Sequence, residues 1–176
     1  MVRGMPTSTG FRRLGIENED QVAALVGEKH RLFRASIDRD GIPLLAGARE
    51  LLDMLDRNGS RLYLVTSGSR GSVWPTLAML GISQLFDGVV TADDVHPGKP
   101  SPEPYLWCLR RFDLDPESCV AVEDAVSGVT SARGASLAVV GVHNVAVRTL
   151  VDVFFPTLED MRLSLSDPRL VPVSGS

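Results

Sequence analysis

The chain has little of what would mark several large classes of protein. It holds two cysteines in 176 residues, Cys108 and Cys119, with no C-x-x-C spacing. The start, Met1-Val2-Arg3-Gly4-Met5-Pro6, has one arginine and no apolar core of a secretory signal. Two isolated cysteines without an export signal point to reduced thiols in packing roles and to a cytoplasmic setting. No basic stretch runs along the chain and the net charge is −4, so a nucleic-acid footprint is not supported. The longest apolar runs, residues 62–65 and 137–142, are far too short to cross a bilayer. Internal repeats and low-complexity segments are absent. His30 and His96 have no partner at metal-ligand spacing, and His143-Asn144 reads as a loop after a strand, with a place on the rim of a site as the alternative.

What is present is a chain with 44% hydrophobic residues, enough for one to two small globular units with a real core. Helical periodicity covers residues 19–37, where Val22, Leu25, Val26, Leu32 and Phe33 recur between charges. It returns over 47–55 with Leu51, Leu52 and Leu55 on one face and Asn58-Gly59 as a stop. The period then changes. Residues 61–65 form a short apolar run bounded by polar turns, the pattern of a buried strand. A helix follows over 72–80, ended by Gly81, and Pro75 fits it only in the first turn. Strands are expected at 88–91, 118–122, 136–142 and 151–155, with helices at 101–112 and 125–133. Trp74 and Trp107 read as packing residues, and residues 166–176, rich in proline and small polar groups, as a loose tail.

Strand and helix alternate from residue 61 to residue 142. This predicts an α/β fold with a Rossmann-like, doubly wound parallel sheet. The first sixty residues show helices without strands. The expected organisation is a partial helical cap over 1–43 and a Rossmann-like core over 44–165.

In such a sheet, ligands bind beyond the carboxyl ends of the strands, and three polar motifs fall there. Thr66-Ser67-Gly68-Ser69 follows the strand at 61–65. A hydroxyl, adjacent backbone N–H groups and the start of the next helix make an anion site, and Gly68 allows close backbone approach. Lys99 sits in Gly98-Lys99-Pro100-Ser101-Pro102-Glu103-Pro104, where three prolines stiffen a loop around one ammonium group. That suits neutralisation of a phosphoryl oxygen. Glu123 and Asp124 follow an apolar strand and precede a helix. Adjacent carboxylates there are poor for packing and good for Mg²⁺, a hard cation that prefers oxygen ligands. Each motif alone also has a plainer reading: a turn with a helix cap, a solvated lysine, and a carboxylate at a helix N-terminus.

Together, Thr66–Ser69, the Lys99–Glu103 span and the run Val120-Ala121-Val122-Glu123-Asp124-Ala125-Val126-Ser127-Gly128 resemble the haloacid dehalogenase superfamily, in its helical-cap subfamily. Val65–Ser69 with Val90–Val95 and Gly98–Tyr105 is similar to sugar-phosphate phosphatases of that subfamily and, more distantly, to beta-phosphoglucomutase. Gly4-Met5-Pro6 resembles the entrance of the cap, and Leu44-Leu45-Ala46-Gly47-Ala48 its exit. The resemblance implies that Thr66, Ser67 and Gly68 bind the transferring phosphoryl group. It implies that Lys99 neutralises that group and orients the nucleophile, and that Glu123 and Asp124 hold Mg²⁺ directly or through water. The implied activity is a Mg²⁺-dependent phosphatase acting on a small phosphorylated metabolite, a sugar or polyol phosphate, through an aspartyl phosphate.

The family pattern also calls for a first strand ending in Asp-x-Asp-Gly, whose first Asp attacks phosphorus and whose second is the acid and base. The chain as written starts at the cap. A strand, helix and entry loop of roughly 30 residues are therefore expected upstream, with the strand central in the sheet between those carrying Thr66 and Glu123. Without it, two inner edges are unpaired, which favours aggregation or a strand-exchanged homo-oligomer. The run Asp38-Arg39-Asp40-Gly41 has the literal Asp-x-Asp-Gly form. It continues a helical pattern containing Arg34 and Ser36, so a helix end and turn is the first reading of it. Asp38 and Asp40 as nucleophile and acid/base of a capless-type phosphatase is the alternative. A phosphate- and Mg²⁺-binding remnant without turnover, and a phosphosugar mutase, complete the set of expectations.

Overall fold

The computed structural model describes residues 10–12, 14–41 and 43–166. The cap entrance expected at Gly4-Met5-Pro6 lies outside the described residues, as does the expected tail, apart from Ser166. Helix α1 spans Glu19–Asp40. Asn18 starts it: its side-chain oxygen accepts the Gln21 N–H at 2.9 Å, satisfying one of the helix's orphan donors. Helix α2, Ala48–Arg57, follows.

From there strands and helices alternate as the pattern predicts. β1 (Tyr63–Val65) leads through α3 (Arg70–Met79) to β2 (Gly88–Val90), its parallel partner, with Leu64 opposite Val89. Helix α4 (Glu103–Arg111) leads to β3 (Val120–Glu123), and α5 (Val126–Gly134) leads to β4 (Ala138–Val142). β5 (Val153–Phe155) and α6 (Leu158–Ser166) complete the order. β3, β4 and β5 form a second parallel sheet in that sequence. Its core is built from β3, β4, α4 and α5, with Leu109, Ala121, Val129, Ala132, Leu137 and Val139 buried together. A smaller cluster joins Leu51 of α2, Val142 of β4 and Met161 of α6.

The strands thus form two sheets. β1 pairs only with β2, and β3 only with β4, so each leaves one edge unpaired by any described strand. β3 is also open on one face. A parallel strand is normally covered on both faces, yet here Ala121 and Glu123 are buried while Val120 is 61% and Val122 43% exposed.

Three local expectations change. The α3 helix begins at Arg70, two residues earlier than the pattern gives, so Pro75 lies in its second turn. There the helix does without one N–H bond. Trp74 is 45% exposed and does not pack as expected, whereas Trp107 meets Phe112 edge-on, with ring centroids 6.5 Å apart. The sequence pattern gives no helix where α6 forms. Its start is written in Thr157 and Asp160: the Thr157 hydroxyl accepts the Asp160 N–H at 3.0 Å, as an N-cap does, and donates to the Asp160 carboxylate at 2.7 Å.

Candidate functional site

The β1 end turns sharply. The Thr66 N–H extends the ladder by donating to the Val90 carbonyl at 2.9 Å. The Thr66 hydroxyl oxygen then accepts the Gly68 N–H at 3.0 Å, closing a turn around Ser67. Gly68 is pressed against α3: a Cβ there would lie 2.9 Å from a Val73 methyl. Its carbonyl accepts the Ala92 N–H at 2.9 Å, tying this turn to the loop after β2. Thr66, Gly68, Ser72, Val73 and Thr76 also line an open cavity of about 290 Å³ along β1 and α3, which Lys99, Glu123 and Asp124 do not reach.

Two acidic residues anchor the start of α3. Asp93 accepts the Arg70 N–H at 2.7 Å, and Asp94 pairs with the Arg70 guanidinium. Asp94 also accepts the Thr91 N–H at 2.8 Å and the Thr91 hydroxyl at 2.6 Å. Burial works against its charge, but the Thr91 bonds and the Arg70 guanidinium outweigh it and hold Asp94 below the usual carboxylate range.

Lys99 joins the two sheets. Its side chain turns inward from the proline-flanked loop and is only 8% exposed. Nζ donates to the Val65 carbonyl at 2.9 Å, at the end of β1, and pairs with the Glu123 carboxylate at the end of β3. Glu123, 9% exposed, also accepts the Tyr105 hydroxyl at 2.5 Å. Tyr105 comes from the buried face of α4, beside Cys108 and Leu109. Its ring lies under Lys99, with Nζ 4.8 Å from the centroid, a cation–π contact. Burial first, and then the neighbouring Glu123 charge, push the Tyr105 hydroxyl well above the ordinary phenol range, so it remains a donor.

Asp124 is exposed, in contrast to Glu123. Its backbone is held by Asn144, whose side-chain N–H donates to the Asp124 carbonyl at 2.8 Å. His143, at φ 60°, turns the chain after β4 into that position.

The structure therefore brings Lys99 and Glu123 together beside the Thr66–Gly68 turn, with Asp124 next to them at the end of β3. Asp38 and Asp40 fall in the last turn of α1 and not at a strand end; their side chains lie outside the described part. Tyr105 is the contributor that pattern reading did not assign to the site, and Asn144 takes the rim position that was the alternative reading of its loop. A single hydroxyl-bearing aromatic on an otherwise apolar helix face, six residues after Lys99, was the available signal for Tyr105.

Among the described residues no cluster of three or more Asp, Glu, His or Cys side chains is placed to hold a metal ion. Mg²⁺ needs no such cluster, because it is commonly held by one or two carboxylates together with waters and substrate phosphate. Asp124, exposed at the strand end, fits that role. Glu123 fits it less directly, since one of its oxygens already receives Lys99 and Tyr105.

The parallel α/β core thus carries, at its strand ends, a hydroxyl-bearing turn, a buried ammonium group and two adjacent carboxylates. The family model of haloacid dehalogenase-like hydrolases matches residues 8–136, and the chain belongs to that family. It is 36% identical over 133 residues to validoxylamine A 7'-phosphate phosphatase of Streptomyces hygroscopicus subsp. limoneus, covering 74% of this chain and 62% of that protein. It is 40% identical over 122 residues to fructose-1-phosphate phosphatase YqaB of Escherichia coli, covering 68% of this chain and 62% of that protein. Among solved structures, CbbY from Rhodobacter sphaeroides in complex with phosphate is similar, with a TM-score of 0.81, 25% identity, and coverage of 89% of this chain and 75% of that one. The chain thus spans about six tenths of the length of these two curated relatives. No described helix is long and apolar enough to cross a membrane.

Proposed function

We propose that this chain carries the phosphate-handling part of a Mg²⁺-dependent phosphatase for a small phosphorylated metabolite, a sugar or polyol phosphate. The observation that carries this reading is Lys99. A buried ammonium group is fixed between the last carbonyl of β1 and the last carboxylate of β3, one residue before Thr66. In a site partly shielded from water, such a charge stabilises developing negative charge far more than an exposed lysine does. The relatives, phosphatases of validoxylamine A 7'-phosphate and of fructose 1-phosphate, support the substrate class.

In this reading the Thr66 hydroxyl, whose oxygen keeps the Gly68 N–H, turns its hydrogen to a phosphoryl oxygen, Ser67 lies beside it in the same turn, and Lys99 offsets the phosphoryl charge. Asp124, with Glu123 behind it, holds the cation. When bound, Mg²⁺ supplies further charge neutralisation at the phosphoryl oxygens. The reaction class is in-line displacement by a carboxylate: its oxygen bonds to phosphorus as the ester P–O bond breaks, and water then releases phosphate.

The alternative reading is phosphate and Mg²⁺ binding without turnover, which the same turn, ammonium group and carboxylates would serve.

The deciding experiment measures inorganic phosphate released from a panel of sugar and polyol phosphates with Mg²⁺, using the wild type, Lys99→Met and Asp38→Asn. Turnover lost in Lys99→Met but kept in Asp38→Asn supports the phosphatase reading. Loss in Asp38→Asn as well makes Asp38 the nucleophile. No release, with thermal stabilisation of the wild type by phosphate and Mg²⁺, supports the binder. Phosphoryl return to sugar in place of release to water indicates a mutase.

A further inference from the structure

We propose that Tyr105 is a positioning residue of this site, which fixes Glu123 and through it the direction of the Lys99 ammonium group. The functional consequence rests on the reading of Lys99 as the group that neutralises phosphate; the positioning itself does not.

Glu123 has freedom on neither side. One side of its carboxylate faces Gly128, where even a Cβ would fall 2.0 Å from Oε2. The other oxygen, Oε1, accepts the Tyr105 hydroxyl at 2.5 Å. The carboxylate is thereby held in one orientation, and it receives Lys99 on the same Oε1. Tyr105 meets Lys99 as well, with its ring face under Nζ at 4.8 Å. A buried ion pair is retained only when its remaining polar positions are satisfied, and here the tyrosine hydroxyl fills one of them.

The donor count at Lys99 gives the arrangement its use. An ammonium group has three donors. One goes to the Val65 carbonyl and one to Glu123. The third has only a long contact, 3.5 Å, to the Tyr105 oxygen. Such a contact is at the limit of a hydrogen bond. The third donor is the one an incoming phosphoryl oxygen can take, and its direction is set by the other two. Phenylalanine at 105 would keep the ring and the packing against Leu109 while releasing Glu123, so the hydroxyl can be tested separately from the core.

The chain favours a direct test, because it has only two lysines, Lys29 and Lys99. Proton–nitrogen correlation spectra of lysine ammonium groups, recorded on the full chain labelled with ¹⁵N, are compared for wild type, Tyr105→Phe and Lys99→Met, the last assigning the signal. Expected is a slowly exchanging Lys99 ammonium signal in the wild type. In Tyr105→Phe that signal is expected to shift and to broaden through faster exchange while the thermal transition stays cooperative. In parallel, titration with inorganic phosphate and Mg²⁺ is expected to show affinity about tenfold weaker in Tyr105→Phe.

An unchanged Lys99 signal in Tyr105→Phe overturns the proposal, as does a wild-type Lys99 signal that exchanges as fast as that of Lys29. If Tyr105→Phe does not fold, this wild-type comparison decides alone. A changed Lys99 signal in a protein whose wild type binds no phosphate upholds the positioning role and removes the phosphate reading.

Discussion

The Gly128 backbone lies against the Glu123 carboxylate, so that a side chain of any size at 128 would occupy the space of Oε2. This relationship explains why the helix after β3 carries a buried glycine in its first turn, where glycine is a poor helix former. It also gives Gly128→Ala a distinctive expected outcome. The colliding atoms are the far end of a side chain, so the helix need not move; the carboxylate must. Leaving its place means leaving Lys99 and Tyr105. The substitution is expected to cost about 1–3 kcal/mol in urea unfolding. Phosphate binding, measured by titration calorimetry, is expected to fall by more than this modest destabilisation implies. Stability loss with unchanged phosphate binding would show that Glu123 can be held elsewhere.

The Asp94 cluster gives an expectation about pH. Asp94 is held below its ordinary value, so the folded state favours its charged form. That contribution is fully present above the ordinary carboxylate pKa of about 3.9 and is lost as the pH falls through the lower folded value. Removing the charge in Asp94→Asn is expected to cost about 1–3 kcal/mol at neutral pH, mainly through the Thr91 bonds, since Arg70 is largely exposed. Chemical denaturation across the acid range checks it. The difference between wild type and variant is expected to narrow toward acid pH and to depend little on salt.

Much of this fold was legible because its strands are short apolar runs between turns, and its helices carry apolar residues at helical spacing. The order β1–α3–β2–α4–β3–α5–β4 follows the pattern from residue 61 onward. The motifs at Thr66, Lys99 and Glu123 were legible because charge and glycine at the end of an apolar run have few packing uses. What the local pattern does not carry is three-dimensional. Tyr105 looks in sequence like any aromatic on a helix face, and only the fold brings its hydroxyl to Glu123 across 18 residues. Helix α6 is short, and its signal lay in a two-residue cap at Thr157 and Asp160 instead of in a long periodic stretch. Pro75 departs from the local rule that places proline in a first turn: it sits in the second turn of α3, which continues without its N–H bond.

The two thiols are expected to separate chemically. Cys108 is buried on α4, and burial, then the neighbouring Cys119, push its thiol up to about 11. At pH 8 about one molecule in a thousand therefore carries a Cys108 thiolate, the reactive form. Cys119, ahead of β3 and only half-buried, is also raised, by burial and then by Asp115. Alkylation with iodoacetamide followed by peptide mass spectrometry is expected to label Cys119 first, and Cys108 only as the protein unfolds. Equal labelling rates under native conditions would contradict the packing of α4 against β3.

The β3 surface provides the last expectation. Val120 and Val122 project from a strand with one edge unpaired by any described strand, and both are more exposed than a parallel strand's residues ordinarily are. An apolar strand with free N–H and C=O groups on one side is a template for pairing with other chains, which a charged residue at the edge discourages. Val120→Lys removes exposed apolar surface without opening a cavity, because the side chain contributes little to the core. Its effect on the unfolding free energy is therefore expected to stay within about 0.5 kcal/mol. Light scattering and sedimentation velocity over a concentration series are expected to show less self-association in Val120→Lys than in the wild type. A control substitution at Ala121, on the opposite and buried face of the same strand, is expected to lower stability instead. If Val120→Lys leaves association unchanged, the β3 edge is not the surface through which copies of this chain meet.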